Sequence, residues 1–284
     1  MLIETEETNQ FTFEPFAAHS FYTQVNRSLV RQALSTFKTR PVDQPLTIVD
    51  MACGTGAISR LIAEEMKSQK RQARIIGVDP SAEALRLAQN SMAEIGAQAE
   101  FIQGDTEDLS RLVHNADAAF FCNAIHLIPD KRSAFELMAS ILAPNGIFAC
   151  NSAFYTGAYV EGTERFYRLW TRRAIGWLRK EHPEVHVSRE EKTTAMQWIN
   201  ADDYIRLLKE GGFQHVDAIQ EEAVMTVESY YDIGQYWLFI EGALPGVPLA
   251  LGAAALGTTV YQVGEELKLK DIPRNWLQLV AHKA

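Results

Sequence analysis

Short apolar runs alternate with amphipathic helical stretches through the first half of the chain, and this alternation restricts the possible fold more than any other feature. The runs cover residues 46–52, 73–79, 99–105, 115–124 and 146–154, and helical patterns cover residues 57–69, 81–96 and 133–142. Nearly continuous apolar runs are typical of buried parallel strands, which need long, usually helical, crossover connections. With further strands beginning at residue 215 and covering residues 275–284, the pattern predicts an α/β fold with a doubly wound, mostly parallel, seven-stranded sheet.

The rest of the chain is less regular, and we divide it around a core at residues 46–154. The predicted segments are a helical N-terminal cap, a lid insertion, a continuation of the core, a hydrophobic insertion and a final core strand, at residues 1–45, 155–198, 199–227, 228–272 and 273–284. The uncharged residues 242–264 approach the length of a membrane span. Because Pro245, Pro248 and several glycines interrupt them, we predict a buried or partner-contacting helix that begins near Pro248, and no membrane contact.

Charge and cysteine content narrow the classes of function. The 284 residues carry a formal net charge of -9, which disfavours nucleic acid as a partner. One basic cluster, at residues 168–180, has amphipathic helical spacing, and we interpret it as a solvated helix face rather than an RNA or lipid contact. The three cysteines are far apart and the first residues lack a signal-type apolar core, so reduced thiols and a cytoplasmic protein are expected.

The turn after the first strand, within "VDMACGTGAISR" (49–60), holds two glycines, Gly54 and Gly56. A dinucleotide site would need a third glycine at position 59, which is serine, and a phosphate-binding loop would need a Gly-Lys pair. An NAD-dependent dehydrogenase therefore stays only a disfavoured alternative. The loop suits a close approach of backbone to a ligand that carries an adenosine and a compact amino-acid tail.

Four motifs within residues 47–150 resemble the cofactor domain of the class I S-adenosylmethionine-dependent methyltransferases, a family with a Rossmann-like fold. The motifs are "VDMACGTG", "GVDPS", "QGDTEDL" and "FFCNAIHLIPD". In the first of them Ala52 replaces a glycine, which resembles the small-molecule, ubiquinone/menaquinone-type branch. The turn "LAPNG" (142–146) is similar to the family's L-x-P-G-G turn, with Asn145 in a glycine position. Asparagine tolerates the positive φ of such a position.

The resemblance implies S-adenosyl-L-methionine as the cofactor. It implies that Asp79 accepts hydrogen bonds from the ribose hydroxyls and that Asp105, with Thr106 beside it, meets the adenine amino group. It also implies that Asn123 and its neighbours face the methionine moiety, whose cationic ammonium favours the carboxylate of Asp50. The predicted cofactor-binding set is Asp50, Ala52, Gly54, Gly56, Asp79, Pro80, Asp105, Thr106 and Asn123. The alternative is that the carboxylates at positions 79 and 105 only cap the following helices.

A general base is needed when the methyl acceptor is a phenol, a hydroxyl or an activated carbon, but not when it is a carboxylate. The candidate catalytic base is His126, three residues beyond Asn123 at the end of the fourth strand. The alternative is that His126 packs or caps the turn before Pro129. Cys53 is predicted to be a packing residue rather than a nucleophile.

The insertions carry the clue to the acceptor, because residues 152–170 and 229–252 concentrate Tyr, Phe and Trp. In similar enzymes such segments, with the N-terminal helix, close over the methyl acceptor. Because the segments are aromatic and aliphatic, we expect the acceptor to be a lipophilic small molecule. The predicted substrate residues are His19, Tyr22, Tyr155 and Tyr159. The alternatives are that these aromatics form the lid's own core or a homodimer contact.

The sequence therefore predicts methyl transfer to oxygen or carbon of a small, hydrophobic metabolite. The absence of an N/D-P-P-Y-type tetrapeptide after the fourth strand disfavours transfer to amides, nucleobases and macromolecules. A protein that binds S-adenosylmethionine without transferring its methyl group stays the first alternative. No metal is predicted, because Pro183 separates His182 from His186 and breaks the helical spacing that two ligands would need.

Overall fold

The computed structural model describes residues 10–105, 108–188 and 198–284. In this part of the chain seven strands form one sheet in the order β3-β2-β1-β4-β5-β7-β6. The strands are β1 (Leu46–Met51), β2 (Ala73–Asp79), β3 (Glu100–Gln103), β4 (Ala116–Cys122), β5 (Leu142–Ser152), β6 (Phe213–Thr226) and β7 (Asp271–Lys283). The predicted doubly wound α/β sheet is confirmed.

Helices connect the strands and extend the fold beyond the sheet. The first six are α1 (Glu14–Ala17), α2 (Ser20–Ser35), α3 (Ala57–Ser68), α4 (Ala82–Glu94), α5 (Leu109–Leu112) and α6 (Lys131–Ile141). The others are α7 (Glu164–Glu181), α8 (Ala201–Glu210), α9 (Val227–Ile233), α10 (Trp237–Ala243) and α11 (Leu249–Leu267). Helices α3, α4 and α6 begin at or within two residues of their predicted starts, because each start is marked by a glycine turn or by the side chain of Ser81 or Asp130.

The parallel direction of the first five strands places the residues of the candidate site at one edge of the sheet. β1 pairs in parallel with β2 and β4, β2 pairs in parallel with β3, and β4 pairs in parallel with β5. The carboxyl ends of these strands therefore meet at one edge, which is where open α/β sheets bind ligands. β7 runs antiparallel to β5 and begins at Asp271, four residues before the predicted start. Pro273 and Arg274, near the start of β7, interrupt the apolar pattern by which a strand is predicted from sequence.

The chain forms two compact units. The sheet unit comprises Thr23–Thr156, Ile199–Glu221 and Trp276–Ala284, and the helical unit comprises Met1–Tyr22, Gly157–Trp198 and Glu222–Asn275. The six-segment division predicted from the sequence stays a prediction. In the sheet unit, Leu29, Ile48, Ile62, Phe120 and Val280 are almost completely buried in a single apolar cluster. Burial of each such side chain stabilises the fold by about 1.5–3 kcal/mol.

In the helical unit, α7 packs against α11. The indole Nε1 of Trp170 donates a hydrogen bond of 2.9 Å to the carbonyl oxygen of Leu256. Phe166, Trp170, Tyr230 and Trp237 are buried, so much of the aromatic content of the two insertions forms this unit's own core. α11 begins directly after Pro248, as predicted. Among the described helices, none has both the length and the apolar character needed to cross a bilayer.

Gly56 allows α3 and α4 to pack closely. Its φ is +83°, and a Cβ added at this position would lie 2.9 Å from the Cβ of Ala88 in α4. We expect Gly56→Ala to lower the free energy of unfolding by about 1–2 kcal/mol more than Gly96→Ala does. Gly96 is the matched control, because its φ is also positive, at +64°, but an added Cβ meets nothing within 4 Å. Urea denaturation checks this, and equal losses in the two variants would contradict the close packing at Ala88.

Candidate active site

The loop after β1 reverses direction through three residues in the left-handed conformation. The φ angles are +52° at Ala52, +50° at Gly54 and +83° at Gly56. Ala52 therefore keeps the backbone conformation of the glycine it replaces, at a cost of about 1–2 kcal/mol. A Cβ added at Gly54 would meet nothing within 4 Å, so this backbone borders open space. The loop can accept a ligand against its main chain.

Asp79, the last residue of β2, holds this loop in place. Its Oδ2 accepts a hydrogen bond of 2.8 Å from the backbone N–H of Gly54, and its Oδ1 accepts one of 3.0 Å from that of Ser81. The Ser81 hydroxyl separately accepts from the N–H of Ala84 and so caps the N-terminus of α4. Asp79 is thus a buried carboxylate with a structural role at the strand end. The next residue, Pro80, accepts from Gln103 Nε2 at 3.0 Å and links the ends of β2 and β3.

Asp105 follows β3 and forms a reciprocal turn with Asp108. Asp105 Oδ1 accepts from the N–H of Asp108 at 3.3 Å, and Asp108 Oδ2 accepts from the N–H of Asp105 at 3.4 Å. These contacts are of the capping kind that the sequence left open as an alternative. The adenine contact of Asp105 stays a prediction, and Thr106 lies outside the described residues.

Asp50 is a buried carboxyl group beneath the loop. The Ser59 hydroxyl donates a hydrogen bond of 2.6 Å to its Oδ2. Its Oδ1 is buried and has no hydrogen-bond partner among the described residues. Burial raises the pKa of Asp50 to about 7, and the hydrogen bonds from Ser59 offset part of this rise. The charge of this group therefore responds to small changes near neutral pH.

The raised pKa of Asp50 predicts a specific pH dependence of stability. Between its pKa of about 3.8 in the unfolded chain and about 7 in the folded one, the folded state binds more protons. The stability contributed by Asp50 is therefore fully present below about pH 4 and is lost as the pH rises through about 7. We expect Asp50→Asn to gain a few kcal/mol of unfolding free energy relative to the parent protein across this range. Urea denaturation at a series of pH values checks it, with the exposed Asp43→Asn as control, and parallel pH profiles would contradict it.

A buried network of amide side chains holds the end of β4. Asn26 Oδ1 accepts from Asn123 Nδ2 at 3.1 Å and from Asn151 Nδ2 at 2.9 Å. Asn123 Oδ1 accepts from the indole Nε1 of Trp276 at 3.0 Å, and the φ of Asn123 is +56°. The Asn123 side chain is thus engaged by the protein, and its contact with a methionine moiety stays a prediction. The other three residues were not predicted from the sequence, although Asn151 stands out as a polar residue within the apolar strand β5.

His126 lies in a short 3₁₀ helix just after Asn123 and is 8% exposed. Its Nδ1 is 3.2 Å from the hydroxyl oxygen of Ser152, and its ring stacks on Phe154 with 4.5 Å between the centroids. The stacking on Phe154 is a packing contact of the kind that the sequence left open as the alternative role of His126. Asp130, whose Oδ1 accepts from the N–H of Ser133 at 3.0 Å, caps the following helix α6. The ring of His126 is therefore held in one orientation at the end of β4.

Comparison with known proteins agrees with this geometry. A family model described as a methyltransferase domain matches residues 48–146, which contain the loop, the strand ends and all four motifs. The core of this chain is a class I S-adenosylmethionine-dependent methyltransferase domain. The resemblance inferred from the four motifs is therefore confirmed.

Curated relatives are similar to the core of this chain. Trans-aconitate 2-methyltransferase from Azoarcus sp. is 30% identical over 109 residues, which make up 38% of this chain and 40% of the relative. Ubiquinone biosynthesis O-methyltransferase from Erwinia tasmaniensis is 27% identical over 100 residues, which make up 35% of this chain and 39% of the relative. The chain thus spans about two fifths of the length of these curated relatives.

Solved structures share the fold of this chain over a longer stretch. Phosphoethanolamine N-methyltransferase 2 from Haemonchus contortus, in complex with phosphomonomethylethanolamine and S-adenosylhomocysteine, superposes with a TM-score of 0.55 at 15% identity. The match covers 98% of this chain and 57% of that one. This similarity supports the fold of the chain and nothing beyond the fold.

Three of the predicted substrate residues lie in the helical unit. His19 Nε2 and Asp232 Oδ2 are 2.7 Å apart, and Tyr22 is buried with its ring edge-on to Phe13. The guanidinium of Arg274 lies 5.3 Å from the centroid of the Tyr159 ring, and burial raises the pKa of the Tyr159 phenol. Asp232 and Arg274 were not predicted from the sequence, because each contacts a residue more than a hundred positions away.

The fourth predicted substrate residue, Tyr155, lies in the sheet unit. Tyr155 is 2% exposed, and its hydroxyl donates a hydrogen bond of 2.8 Å to Gln220 Oε1. Acceptor contact by any of the four residues stays a prediction.

The three cysteines of the chain are free and buried. Burial raises the pKa of the thiols of Cys53, Cys122 and Cys150 above the usual range. All three are therefore protonated at neutral pH. Cys53 acts in packing, as predicted from the sequence, and not as a thiolate nucleophile.

Proposed function

We propose that this chain transfers the methyl group of S-adenosylmethionine to an oxygen or carbon atom of a small molecule. The observation that carries the proposal is the open left-handed loop at Gly54, which is held by the Asp79 carboxylate at the end of the neighbouring strand. This combination offers a backbone surface for a compact ligand beside a group that can accept two hydroxyl hydrogen bonds. Relatives that act on small molecules support the same class of acceptor.

The residues at this edge fit the proposed cofactor. The buried Asp50 Oδ1 without a described partner would be satisfied by a cationic group, and the space beside Gly54 leaves room for one. In the proposal Asp79 accepts from the ribose, Asp105 and Thr106 meet the adenine, and Asn123 borders the methionine part. Ala52, Gly56 and Pro80 shape the loop around them.

S-adenosylmethionine supplies an electrophilic methyl group on a sulfonium sulfur. The contribution of the chain is to align the acceptor, exclude water and hold the proton that the acceptor loses. In the proposal His126 Nε2 takes that proton, since the Ser152 contact at Nδ1 and the Phe154 ring hold the imidazole in one orientation. This assignment favours hydroxyl or carbon acceptors, because a carboxylate has no proton to lose.

Lipophilicity of the acceptor is a separate part of the proposal. The aromatic residues Phe166, Trp170 and Tyr230 belong to the core of the helical unit, so they do not argue for a lipophilic acceptor. Among the predicted substrate residues, Tyr22 and Tyr155 are also buried, so the half-buried Tyr159 is the aromatic residue that supports it. The cytoplasmic location and a homodimer stay predictions from the sequence.

Two measurements on the same protein sample test the proposal. Isothermal titration with S-adenosylmethionine measures binding, and release of S-adenosylhomocysteine over a panel of phenols, quinols, hydroxy acids and carboxylic acids measures transfer. Saturable binding with release on at least one acceptor supports the proposal. Binding without release on any acceptor favours a cofactor-binding protein without transferase activity. Binding of NADH in place of S-adenosylmethionine would overturn the proposal in favour of a dehydrogenase.

A further inference from the structure

Helix α7 packs along one side against the rest of the helical unit. Its buried residues recur every four positions, at Phe166, Trp170, Ala174 and Leu178, so one side of the helix faces the interior. The hydrogen bond from the Trp170 indole to the Leu256 carbonyl oxygen fixes the helix against α11. The opposite side of α7 is therefore presented to solvent in a defined orientation.

Helix α7 carries six basic residues. Arg165, in its first turn, is exposed, and the other five fall into two groups. Arg173 pairs with Glu266 at 2.8 Å, and Lys180 pairs with Glu181 at 2.7 Å, so these two cations are neutralised within the protein. Arg168, Arg172 and Arg179 are exposed, and in the part of the chain that the structure describes no carboxylate lies within 4 Å of their guanidinium groups. We call these three residues the arginine stripe.

The arginine stripe follows one side of the helix. Positions 168, 172 and 179 are related by steps of four and seven residues, which place side chains on the same face. The stripe extends over about 16 Å, because an α-helix rises 1.5 Å per residue. It lines an open groove of ≈ 610 Å³ together with Tyr159, Tyr167, Thr171, Ile175 and Gly176.

Gly176 leaves the helix backbone open in the middle of this groove. A Cβ added there would meet nothing within 4 Å, so the missing side chain serves no packing contact within the chain. A glycine inside a helix costs about 1 kcal/mol relative to alanine. The absence of a side chain at Gly176 leaves a shallow gap between Arg172 and Arg179, where the surface of another molecule can come close to the helix backbone.

The positive charge of the arginine stripe determines which kind of partner surface is complementary to it. The chain has a formal net charge of -9, so an acidic partner is repelled by most of this protein and attracted to the arginine stripe. A small anion would meet one or two exposed arginines in open water, where screening makes each contact weak. An acidic helix can meet all three arginines at once with glutamates at matching intervals. We propose that the arginine stripe is a docking surface for an acidic helix of a partner protein.

The proposal is independent of the methyl acceptor and is tested by binding to the full chain. The probe is a fluorescent helical peptide of about 20 residues with glutamates placed to match the three arginines, compared with a peptide of equal composition and scrambled glutamates. The test variant combines Arg168→Gln, Arg172→Gln and Arg179→Gln. The matched control combines Lys67→Gln, Lys70→Gln and Lys209→Gln, which removes the same charge from exposed positions in the sheet unit. Circular dichroism and thermal melting confirm that both variants are folded.

The expected result is that the matched peptide binds about 10- to 100-fold more tightly than the scrambled one at low salt, because each exposed ion pair adds about two- to fivefold. The preference is lost in the arginine variant, kept in the lysine variant and reduced at high salt. Equal binding of the two peptides, an equal loss in both variants, or no binding overturns the proposal. Duplex DNA or anionic lipid vesicles that need the three arginines while the peptide does not would reassign the surface to another class of partner and also overturn it.

Discussion

Replacement of His126 by alanine is expected to lower kcat by about 10²–10⁴-fold on an acceptor that must lose a proton. The reason is geometric, because the imidazole is held by the Ser152 contact at 3.2 Å and by stacking on Phe154. A base in a fixed orientation contributes to the transition state and little to ground-state binding, so KM and the affinity for S-adenosylmethionine should change little. Initial-rate measurements of S-adenosylhomocysteine release check this.

The control for His126 is His114→Ala, which removes an exposed histidine and should leave the rate unchanged. An acceptor with a carboxylate as nucleophile gives a second test, because its methylation by the His126 variant should be near normal. A kcat close to that of the parent on a hydroxyl acceptor would assign His126 to packing. A loss of cofactor affinity equal to the loss of rate would instead indicate that the β4 end has been disrupted.

Asp79→Ala is expected to weaken S-adenosylmethionine binding by about 1–3 kcal/mol, which corresponds to about 5- to 150-fold in Kd. The variant loses a carboxylate that accepts from Gly54 and Ser81 in the protein and, in the proposal, from the ribose hydroxyls. Because the loop itself depends on this carboxylate, Asp79→Asn is the sharper variant: it keeps one acceptor oxygen for the backbone and removes the charge. Isothermal titration measures both affinities.

Asp43→Ala serves as the control for Asp79, because Asp43 is exposed in the segment before β1. The control should bind the cofactor with the affinity of the parent protein. Asp79→Asn with an unchanged Kd and an unchanged melting temperature would remove Asp79 from the cofactor site. Such a result would leave the residue with its structural role at the loop alone.

Local features were predictable from the sequence because each depends on neighbours in the chain. β2 covers Ala73–Asp79 as predicted, since its apolar run has turn signals on both sides. The φ of Asn145 is +59°, as expected for a residue in a glycine position. Pro248 marks the start of α11, because proline suits the first turn of a helix and disrupts its interior.

The partners of site residues were not predictable, because they come from distant parts of the chain. Asn123 is held by Asn26 and Trp276, which are 97 and 153 positions away. Periodicity reports which face of an element is buried, but it carries no information on which polar groups meet across elements. The turn between Asp105 and Asp108 was not predictable for a related reason. A carboxylate that follows a strand suits both ligand binding and capping, and the sequence does not distinguish the two.

The amide network at the end of β4 also indicates in which order the parts of the candidate site form during folding. It joins residues 26, 123, 151 and 276, so the loop that bears His126 reaches its final form only when both an early helix and the last strand have docked. Contacts so distant in sequence form late, because loop closure must precede them. A chain in which β7 has not yet docked would therefore form the loop after β1 before it holds His126 in place. Under the proposed function, affinity for S-adenosylmethionine should then be gained earlier in folding than turnover.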